Sequence, residues 1–195
     1  KMRTIVGDVT IFIAPMGRRE DSSFASYNDL FLAQEALLSV NSWLKKVPET
    51  YTYDLDADGI HMSDDGYSDY APLLVDFIED ELGTTVTNPV TPPEISGAVL
   101  AGTTITITLT HGDGSDFTPT SGIEGFTFIN GSSAEITINS AVRTNATTIT
   151  LTLASSQTDG TLYYGYGSMT GLTISNTVQD NSSRSLALRR AIISV

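Results

Sequence analysis

A change of pattern near Thr84 constrains this 195-residue chain most strongly, because it divides the sequence into two parts that need different folds. Residues 1–92 hold 16 acidic and 6 basic residues, whereas residues 93–195 hold 7 and 4 and are rich in Thr, Ser and Gly. Residues 84–93 between them are rich in Thr and Pro, a composition typical of extended linkers. The sequence therefore predicts a first domain over 1–83, a linker over 84–93 and a second domain over 94–195.

The first domain alternates between strand and helix patterns. Residues 9–14 are nearly all apolar and β-branched, as in a strand that is buried on both faces. Apolar residues at helical spacing predict helices over residues 29–46 and 69–82, and residues 50–55 alternate like a strand. The order strand, helix, strand, loop and helix is typical of the last part of an α/β sheet with crossover helices.

The second domain shows a different pattern of short runs in which apolar and polar residues alternate. These runs are residues 103–110, 125–129, 134–139, 147–153 and 161–166. Clusters of Gly, Asn, Asp and Ser separate them, and such clusters favour turns. About 100 residues with this pattern predict an all-β sandwich.

The charge and the absence of cysteine exclude several classes of function. The formal net charge is −13, which makes the chain a poor partner for nucleic acid or for an anionic membrane surface. We expect neither partner. The chain has no cysteine, so disulfides, thiolate metal sites and cysteine nucleophiles are excluded.

Candidate catalytic residues lie in an acidic loop between a predicted strand and a predicted helix. Asp58 and His61 are three residues apart there, with Gly59 between them. A carboxylate at this spacing can reach the imidazole Nδ1 and fix its tautomer, which leaves Nε2 to take a proton from a serine. In open α/β sheets, sites form at the carboxyl ends of strands, where this loop is expected to lie.

The residues around this pair resemble a known family. Asp58-Gly59-Ile60-His61, followed by Met62-Ser63, an acidic pair and Gly66-Tyr67, is similar to the last conserved block of SGNH (GDSL-type) hydrolases, especially the carbohydrate-esterase branch. The resemblance covers about residues 5–83. It implies that this region is the C-terminal part of a flavodoxin-like α/β hydrolase sheet, and that Asp58 and His61 belong to a Ser-His-Asp triad.

Three further residues are candidates for binding substrate. Gln34 lies on the first predicted helix, where the carbohydrate-esterase branch often has a Gln. Arg18 and Arg19 follow the end of the first predicted strand and are candidates to line a sugar site. The serine block and the oxyanion Gly and Asn blocks of the family have no counterpart in the sequence. We expect them on an N-terminal half of the hydrolase domain, on this polypeptide or on another.

The end of the chain carries a second resemblance. Residues 164–167, 176–181 and 186–189 are similar to the ending of sialate O-acetylesterase-like proteins, and such endings recur in phage proteins. Together the resemblances imply an O-acetylated polysaccharide as substrate and a mechanism without a cofactor. They also imply a sandwich that binds glycan or attaches to a virion or a homo-oligomeric assembly, and an extracellular or virion-associated location.

Two alternatives use the same residues differently. Asp54, Asp56, Asp58 and Asp65 fit positions 1, 3, 5 and 12 of a calcium-binding loop, with Gly59 at position 6. In that alternative His61 stands where an aliphatic residue is expected. The other alternative is a non-catalytic structural or receptor-binding module, in which the sandwich does the work and the α/β part is only a scaffold.

Overall fold

A short strand-helix-strand unit opens the computed structural model, which describes residues 10–15, 17–20, 27–167, 169 and 171–195. Strand β1 (Ile11–Ile13) is followed by helix α1 (Tyr27–Ser39) and by strand β2 (Leu44–Lys46). The two strands pair in parallel, with Ile11 opposite Leu44 and Ile13 opposite Lys46. The strand predicted over residues 9–14 is therefore present at 11–13, and Val9 lies outside the described residues.

Helix α1 ends before its predicted end at residue 46. The amide of Leu44 donates to the carbonyl oxygen of Asn41 at 3.0 Å, which closes a turn after the helix. Leu44 is 7% exposed and continues the apolar spacing of α1, but its backbone pairs with β1. Pairing and burial against β1 override the helical pattern, because local propensity is a weak constraint beside tertiary contacts.

The strand predicted over residues 50–55 is not formed. The amide of Tyr53 donates to the carbonyl oxygen of Thr50 at 3.3 Å, so this segment turns, and only Leu55 makes a bridge, with Met62. Tyr51 and Tyr53 pack in two different cores, and that explains their alternation without a strand.

Helix α2 (Asp64–Glu81) begins five residues before its predicted start. Ser63 caps it, since its Oγ accepts a hydrogen bond from the amide of Gly66 at 3.0 Å. The helix packs on β1 through an edge-to-face contact between Phe12 and Phe77, whose ring centroids are 6.4 Å apart.

The second part consists of antiparallel strands. They are β3 (Glu94–Thr110), β4 (Phe117–Thr118), β5 (Phe126–Asn130), β6 (Glu135–Ile136), β7 (Ile138–Asn145), β8 (Thr148–Gln157), β9 (Gly160–Tyr164), β10 (Gln179–Asp180) and β11 (Ala191–Ser194). One sheet has the order β3-β8-β7, another has the order β11-β9-β5-β6, and β10 pairs with β4. A short 3₁₀ helix, Ile174–Asn176, precedes β10.

Alternate side chains of the two larger sheets share one core. Ile105, Ile107, Ile149 and Leu151 come from the first sheet, and Phe128 and Leu162 come from the second; all six are completely buried. Sheets that pack through alternating apolar side chains form the arrangement expected of a sandwich. Most of the regular secondary structure of the described residues is β-strand, and the strands of the second part agree with the β-sandwich that the sequence predicts there. The two α-helices lie in the first part. The larger flavodoxin-like sheet predicted for the first part stays a prediction.

The segment predicted as a linker is bonded to the sandwich at its end. Asp113 Oδ2 accepts hydrogen bonds from the amides of Val90, at 2.6 Å, and Thr91, at 2.7 Å. Val90 is 4% exposed and packs in the same core as α2. This end of the segment is held by side chains from both parts of the chain.

Candidate functional site

The loop that carries Asp58 and His61 is a tight hairpin. The amide of Asp56 donates to the carbonyl oxygen of His61 at 2.8 Å, and the amide of Gly59 donates to the carbonyl oxygen of Asp56 at 2.9 Å. Gly59 has a φ of 65°, a left-handed conformation that glycine adopts without the steric cost of a Cβ atom. The glycine between the two candidate residues is therefore what allows the chain to reverse there.

The carboxylate of Asp58 organises the tip of this hairpin. Its Oδ1 accepts hydrogen bonds from the amides of Ile60, at 2.9 Å, and His61, at 3.0 Å. Its Oδ2 lies 2.6 Å from Nδ1 of His61. The first two bonds hold the carboxylate rigidly in its own turn, and the third fixes the imidazole with Nδ1 as the proton donor. The side chain of His61 is 70% exposed, so Nε2 belongs to an accessible ring.

The contact shifts both pKa values in the direction of an ion pair. Hydrogen bonds from the His61 side chain, the His61 amide and the Ile60 amide lower the pKa of Asp58 to about 2. The hydrogen bond and the charge of Asp58 raise the pKa of His61, with a smaller contribution from Asp56, while Arg19 opposes the rise. His61 is therefore a stronger base than a free histidine, and Asp58 stays ionised beside it.

Arg18 bonds to the protein itself, and its role in substrate binding stays a prediction. It is 7% exposed, and its Nη1 donates to the carbonyl oxygens of Tyr51, at 2.9 Å, and Tyr53, at 2.5 Å. Its Nη2 lies 3.3 Å from Glu20 Oε1, and the Glu20 amide donates to the carbonyl oxygen of Gly59 at 2.8 Å. The guanidinium thus joins residues 17–20 to the segment that precedes the hairpin with Asp58 and His61.

The other two predicted binding residues occupy different places. Arg19 lies near enough to His61 for its charge to affect the pKa of that imidazole. Gln34 lies on α1 and its Nε2 donates to the carbonyl oxygen of Ala14 at 2.9 Å, at the end of β1. The structure therefore places Arg19 within electrostatic reach of His61 and gives Gln34 a contact with the protein backbone.

The four aspartates of the calcium alternative do not form a cation cage. Among the described residues there is no group of three or more His, Cys, Asp or Glu side chains placed to hold a metal ion. Both oxygens of Asp58 accept hydrogen bonds from the hairpin itself, and Asp65 lies in the first turn of α2. This geometry favours the carboxylate–imidazole pair over a calcium loop.

The start of α2 fits against the hairpin only because residue 66 is glycine. A Cβ atom on Gly66 would lie 2.5 Å from Cγ of Met62 and 2.6 Å from the carbonyl oxygen of Asp54. We expect Gly66→Ala to lower the free energy of unfolding by about 1–2 kcal/mol, because the clash outweighs the roughly 1 kcal/mol that alanine gains in a helix.

Urea unfolding of the 195-residue chain checks this expectation. Gly97→Ala is the matched control, because a Cβ atom on Gly97 meets nothing within 4 Å. The control should change the free energy of unfolding by less than about 0.5 kcal/mol. Equal stability of the two variants would contradict the close packing of α2 on the hairpin.

Comparisons with known proteins give a likeness of fold. The crystal structure of a novel carbohydrate acetylesterase from Xanthomonas citri matches 97% of this chain with a TM-score of 0.66 and 11% sequence identity. The chain shares its fold with part of that protein. It spans 43% of that protein's length, and the likeness extends over both parts of the chain because almost the whole chain is covered.

Other comparisons add no family. The N-terminal part of the bacterial S-layer protein SbsC matches 68% of the chain and 28% of its own length, with a TM-score of 0.38 and 14% identity. That TM-score is too low to indicate a shared fold. No family model matches the sequence, and no curated protein matches it. Among the described residues, no helix combines the length and the apolar character needed to cross a bilayer.

Sequence analysis missed the residues that join the two parts. Glu49, Tyr51 and Arg190 are almost completely buried at the junction. Beside them, a cavity of about 220 Å³ is lined by residues of both parts, including Tyr53, Asp54 and Arg184. A short polar-aromatic segment after Pro48 carries no pattern that predicts burial, since its partners lie far away in the sequence.

Proposed function

We propose that this chain is the C-terminal part of a serine-dependent carbohydrate O-acetylesterase and supplies its Asp-His pair. The observation that carries the proposal is the 2.6 Å contact between Asp58 Oδ2 and His61 Nδ1 in a hairpin that holds the carboxylate by two amides. An imidazole oriented in this way and accessible to solvent is the arrangement that general-base catalysis requires.

The fold likeness to a carbohydrate acetylesterase supports this class of reaction. The likeness covers 97% of the chain, and the chain spans 43% of that esterase, so a hydrolase of this kind has room for a serine-bearing part beyond the matched region. We propose that an N-terminal half of the hydrolase domain contributes the serine and the oxyanion donors and completes the flavodoxin-like sheet next to β1 and β2.

The residues of the pair have separate roles in the proposed reaction. His61 Nε2 takes the proton of the serine hydroxyl as the serine oxygen attacks the acetyl carbonyl carbon. The protonated His61 then donates that proton to the leaving sugar oxygen, and an acetyl-serine forms. Asp58 remains ionised and stabilises the imidazolium. Water, activated by His61, releases acetate and restores the serine.

The proposed substrate is an O-acetylated polysaccharide. The sandwich would bind glycan or attach the enzyme to a larger assembly such as a virion or a homo-oligomer, outside the cell. The chain's net charge of −13 favours a neutral or cationic glycan, because an anionic one would be repelled.

The test is the pH dependence of acetyl release by the complete protein, meaning this chain together with the serine-bearing part. Because His61 must be unprotonated to act as base and its pKa is raised, activity should rise with pH and be half-maximal above about 6.5. Release of p-nitrophenol from p-nitrophenyl acetate gives kcat/KM, and an NMR titration of the His61 ring gives its pKa.

Agreement of the two values within about half a pH unit is the expected result. Acetylated xylan then tests whether an acetylated polysaccharide is also a substrate. Absence of acetyl release by a folded protein that contains the serine would remove the proposed function, and so would an acidic limb well below the measured pKa of His61.

A further inference from the structure

The segment between β2 and the catalytic hairpin is buried in the junction of the two parts. We call residues 47–53 the anchor segment. Its first five residues are all buried, with Tyr51 completely inaccessible and Glu49 2% exposed. The hairpin starts directly after it, at Asp54, so the position of the anchor segment sets where Asp58 and His61 lie.

The sandwich holds the anchor segment by hydrogen bonds from its C-terminal part. The hydroxyl of Tyr51 donates to the carbonyl oxygen of Leu188 at 2.8 Å and contacts the hydroxyl of Tyr164 at 3.3 Å. The amide of Arg190 donates to Oε1 of Glu49 at 3.0 Å. Tyr51 also belongs to the hydrophobic core of the sandwich, where its ring packs edge-to-face on Tyr164 with centroids 6.4 Å apart.

Charge reinforces these bonds in the same place. The side chains of Glu49 and Arg190 are completely buried and their nearest charged atoms are 3.6 Å apart, too far for a hydrogen bond but close for an ion pair. The guanidinium of Arg190 lies 5.4 Å from the ring centre of Tyr51 and 5.5 Å from that of Phe31 on α1. Glu49 also has Lys46 Nζ 2.8 Å from its Oε1, whereas separation from Glu49 would leave the buried charge of Arg190 without its carboxylate, so the pair tolerates little displacement.

The first part holds the anchor segment from its other side. Arg18 donates to the carbonyl oxygens of Tyr51 and Tyr53, and the hydroxyl of Tyr70 on α2 donates to the carbonyl oxygen of Pro48 at 3.2 Å. The amide of Ser63 donates to the carbonyl oxygen of Asp54 at 2.9 Å, which continues the contacts into the hairpin. Continuous bonding therefore links residues 188–190, which precede β11, through the anchor segment to the Asp58–His61 turn.

We propose that the sandwich positions the catalytic hairpin, with Tyr51 and Glu49 as positioning residues that act through the anchor segment. The importance of this positioning for catalysis rests on the proposed function, whereas the mechanical coupling between the sandwich and the hairpin does not. Catalytic groups must be held within about 0.5 Å of their productive geometry, and a second layer of bonded residues usually provides this. The sandwich is thus part of the active-site framework as well as a module for attachment.

Tyr51→Phe tests the coupling in the 195-residue chain, since it removes one hydroxyl and keeps the ring. We expect the pKa of His61 to fall toward 6.5, and the amides of Ile60 and His61 to exchange with solvent about five- to tenfold faster, as the hairpin loosens. The chain has two histidines, so the ring signal of His111 in the sandwich serves as internal reference. Asp58→Asn gives the pKa of a fully uncoupled His61.

Two further variants make the result decisive. Tyr164→Phe removes from the sandwich side the 3.3 Å contact with the Tyr51 hydroxyl, together with the acceptor of the Val178 amide, and should act in the same direction. Ile149→Val removes one methyl group from the sandwich core at a completely buried position on β8, outside the hydrogen bonds that hold the anchor segment. It lowers sandwich stability but should leave the pKa of His61 and the exchange of both amides unchanged.

The outcomes separate this proposal from the proposed function. Wild-type pKa and exchange rates in folded Tyr51→Phe and Tyr164→Phe would overturn the coupling, even if His61 proves essential for hydrolysis. Equal changes in Ile149→Val would also overturn it, because they would come from general loss of stability. A shift in the tyrosine variants alone would support the coupling even in a protein that releases no acetate.

Discussion

His61→Ala in the complete protein is expected to lower kcat/KM for p-nitrophenyl acetate by about 10³- to 10⁴-fold. General acid–base catalysis by a positioned histidine contributes at about this level, and here one imidazole serves both steps of the reaction. The loss should appear mainly in kcat, since the imidazole acts on the transition state rather than on bound substrate. His61 is largely exposed, so the variant should retain its fold.

His111→Ala is the matched control for this experiment. His111 is the second of the two histidines, and its Nε2 lies 2.7 Å from the carbonyl oxygen of Ala146 within the sandwich. Its removal should leave kcat/KM unchanged below the unfolding temperature. Hydrolysis by His61→Ala at the wild-type rate, or an equal loss in His111→Ala, would contradict the role of His61.

Glu49→Gln is expected to lower the free energy of unfolding by about 3–5 kcal/mol. The substitution leaves the guanidinium of Arg190 completely buried without its carboxylate, and removing one partner of a buried pair costs about this much. Within the described residues, Arg190 Nε and Nη1 lack hydrogen-bond partners, and Glu49 is the carboxylate that pairs with this guanidinium. Urea unfolding of the 195-residue chain provides the measurement.

The double variant Glu49→Leu with Arg190→Met distinguishes the lost pair from lost packing. It removes both charges, and we expect it to recover most of the stability that Glu49→Gln loses, as replacement of buried pairs by apolar residues often does. Lys46 keeps an acidic partner in this variant, because its Nζ lies 2.7 Å from Glu35. A double variant no more stable than Glu49→Gln would mean that the pair itself contributes little.

The pH dependence of stability gives an independent check on Glu49. Burial alone would raise its pKa, but the charges of Lys46 and Arg190 and their hydrogen bonds outweigh burial and lower the pKa below its ordinary 4.5. The stabilisation is therefore complete above about pH 4.5 and is lost as pH falls through the folded-state pKa. The wild type should lose more stability than Glu49→Gln over this acidic range, and equal acid sensitivity would contradict the shift.

The contact between Asp58 and His61 follows from a short stretch of sequence. A carboxylate three residues before a histidine, with a glycine that permits a reversal, needs no distant partner to form its hydrogen bonds. The strands of the second part are similarly local in origin, because alternating side chains need only an apolar face and turn residues between runs. These features could be predicted because their causes lie within a few residues of one another.

The errors of sequence analysis have the opposite origin. The apolar spacing of Leu44 is compatible with a helix, yet the parallel partner on β1 makes it a strand. The alternation of residues 50–55 is compatible with a strand, yet Tyr51 and Tyr53 pack in two different cores and the segment turns. In both cases a distant partner decided between two locally acceptable states.

The sequence by itself determined the two-part division in pattern, the alternating runs that form β3, β5, β6, β8 and β9, and the hairpin that brings a carboxylate to an imidazole. Only the tertiary structure decided that the segment before this hairpin is buried against the sandwich, through Glu49 and Arg190, which are 141 residues apart. The physical reason is that local hydrogen bonds and alternation are encoded within a turn or a strand. Burial of a charge depends on a partner that only the folded chain brings near.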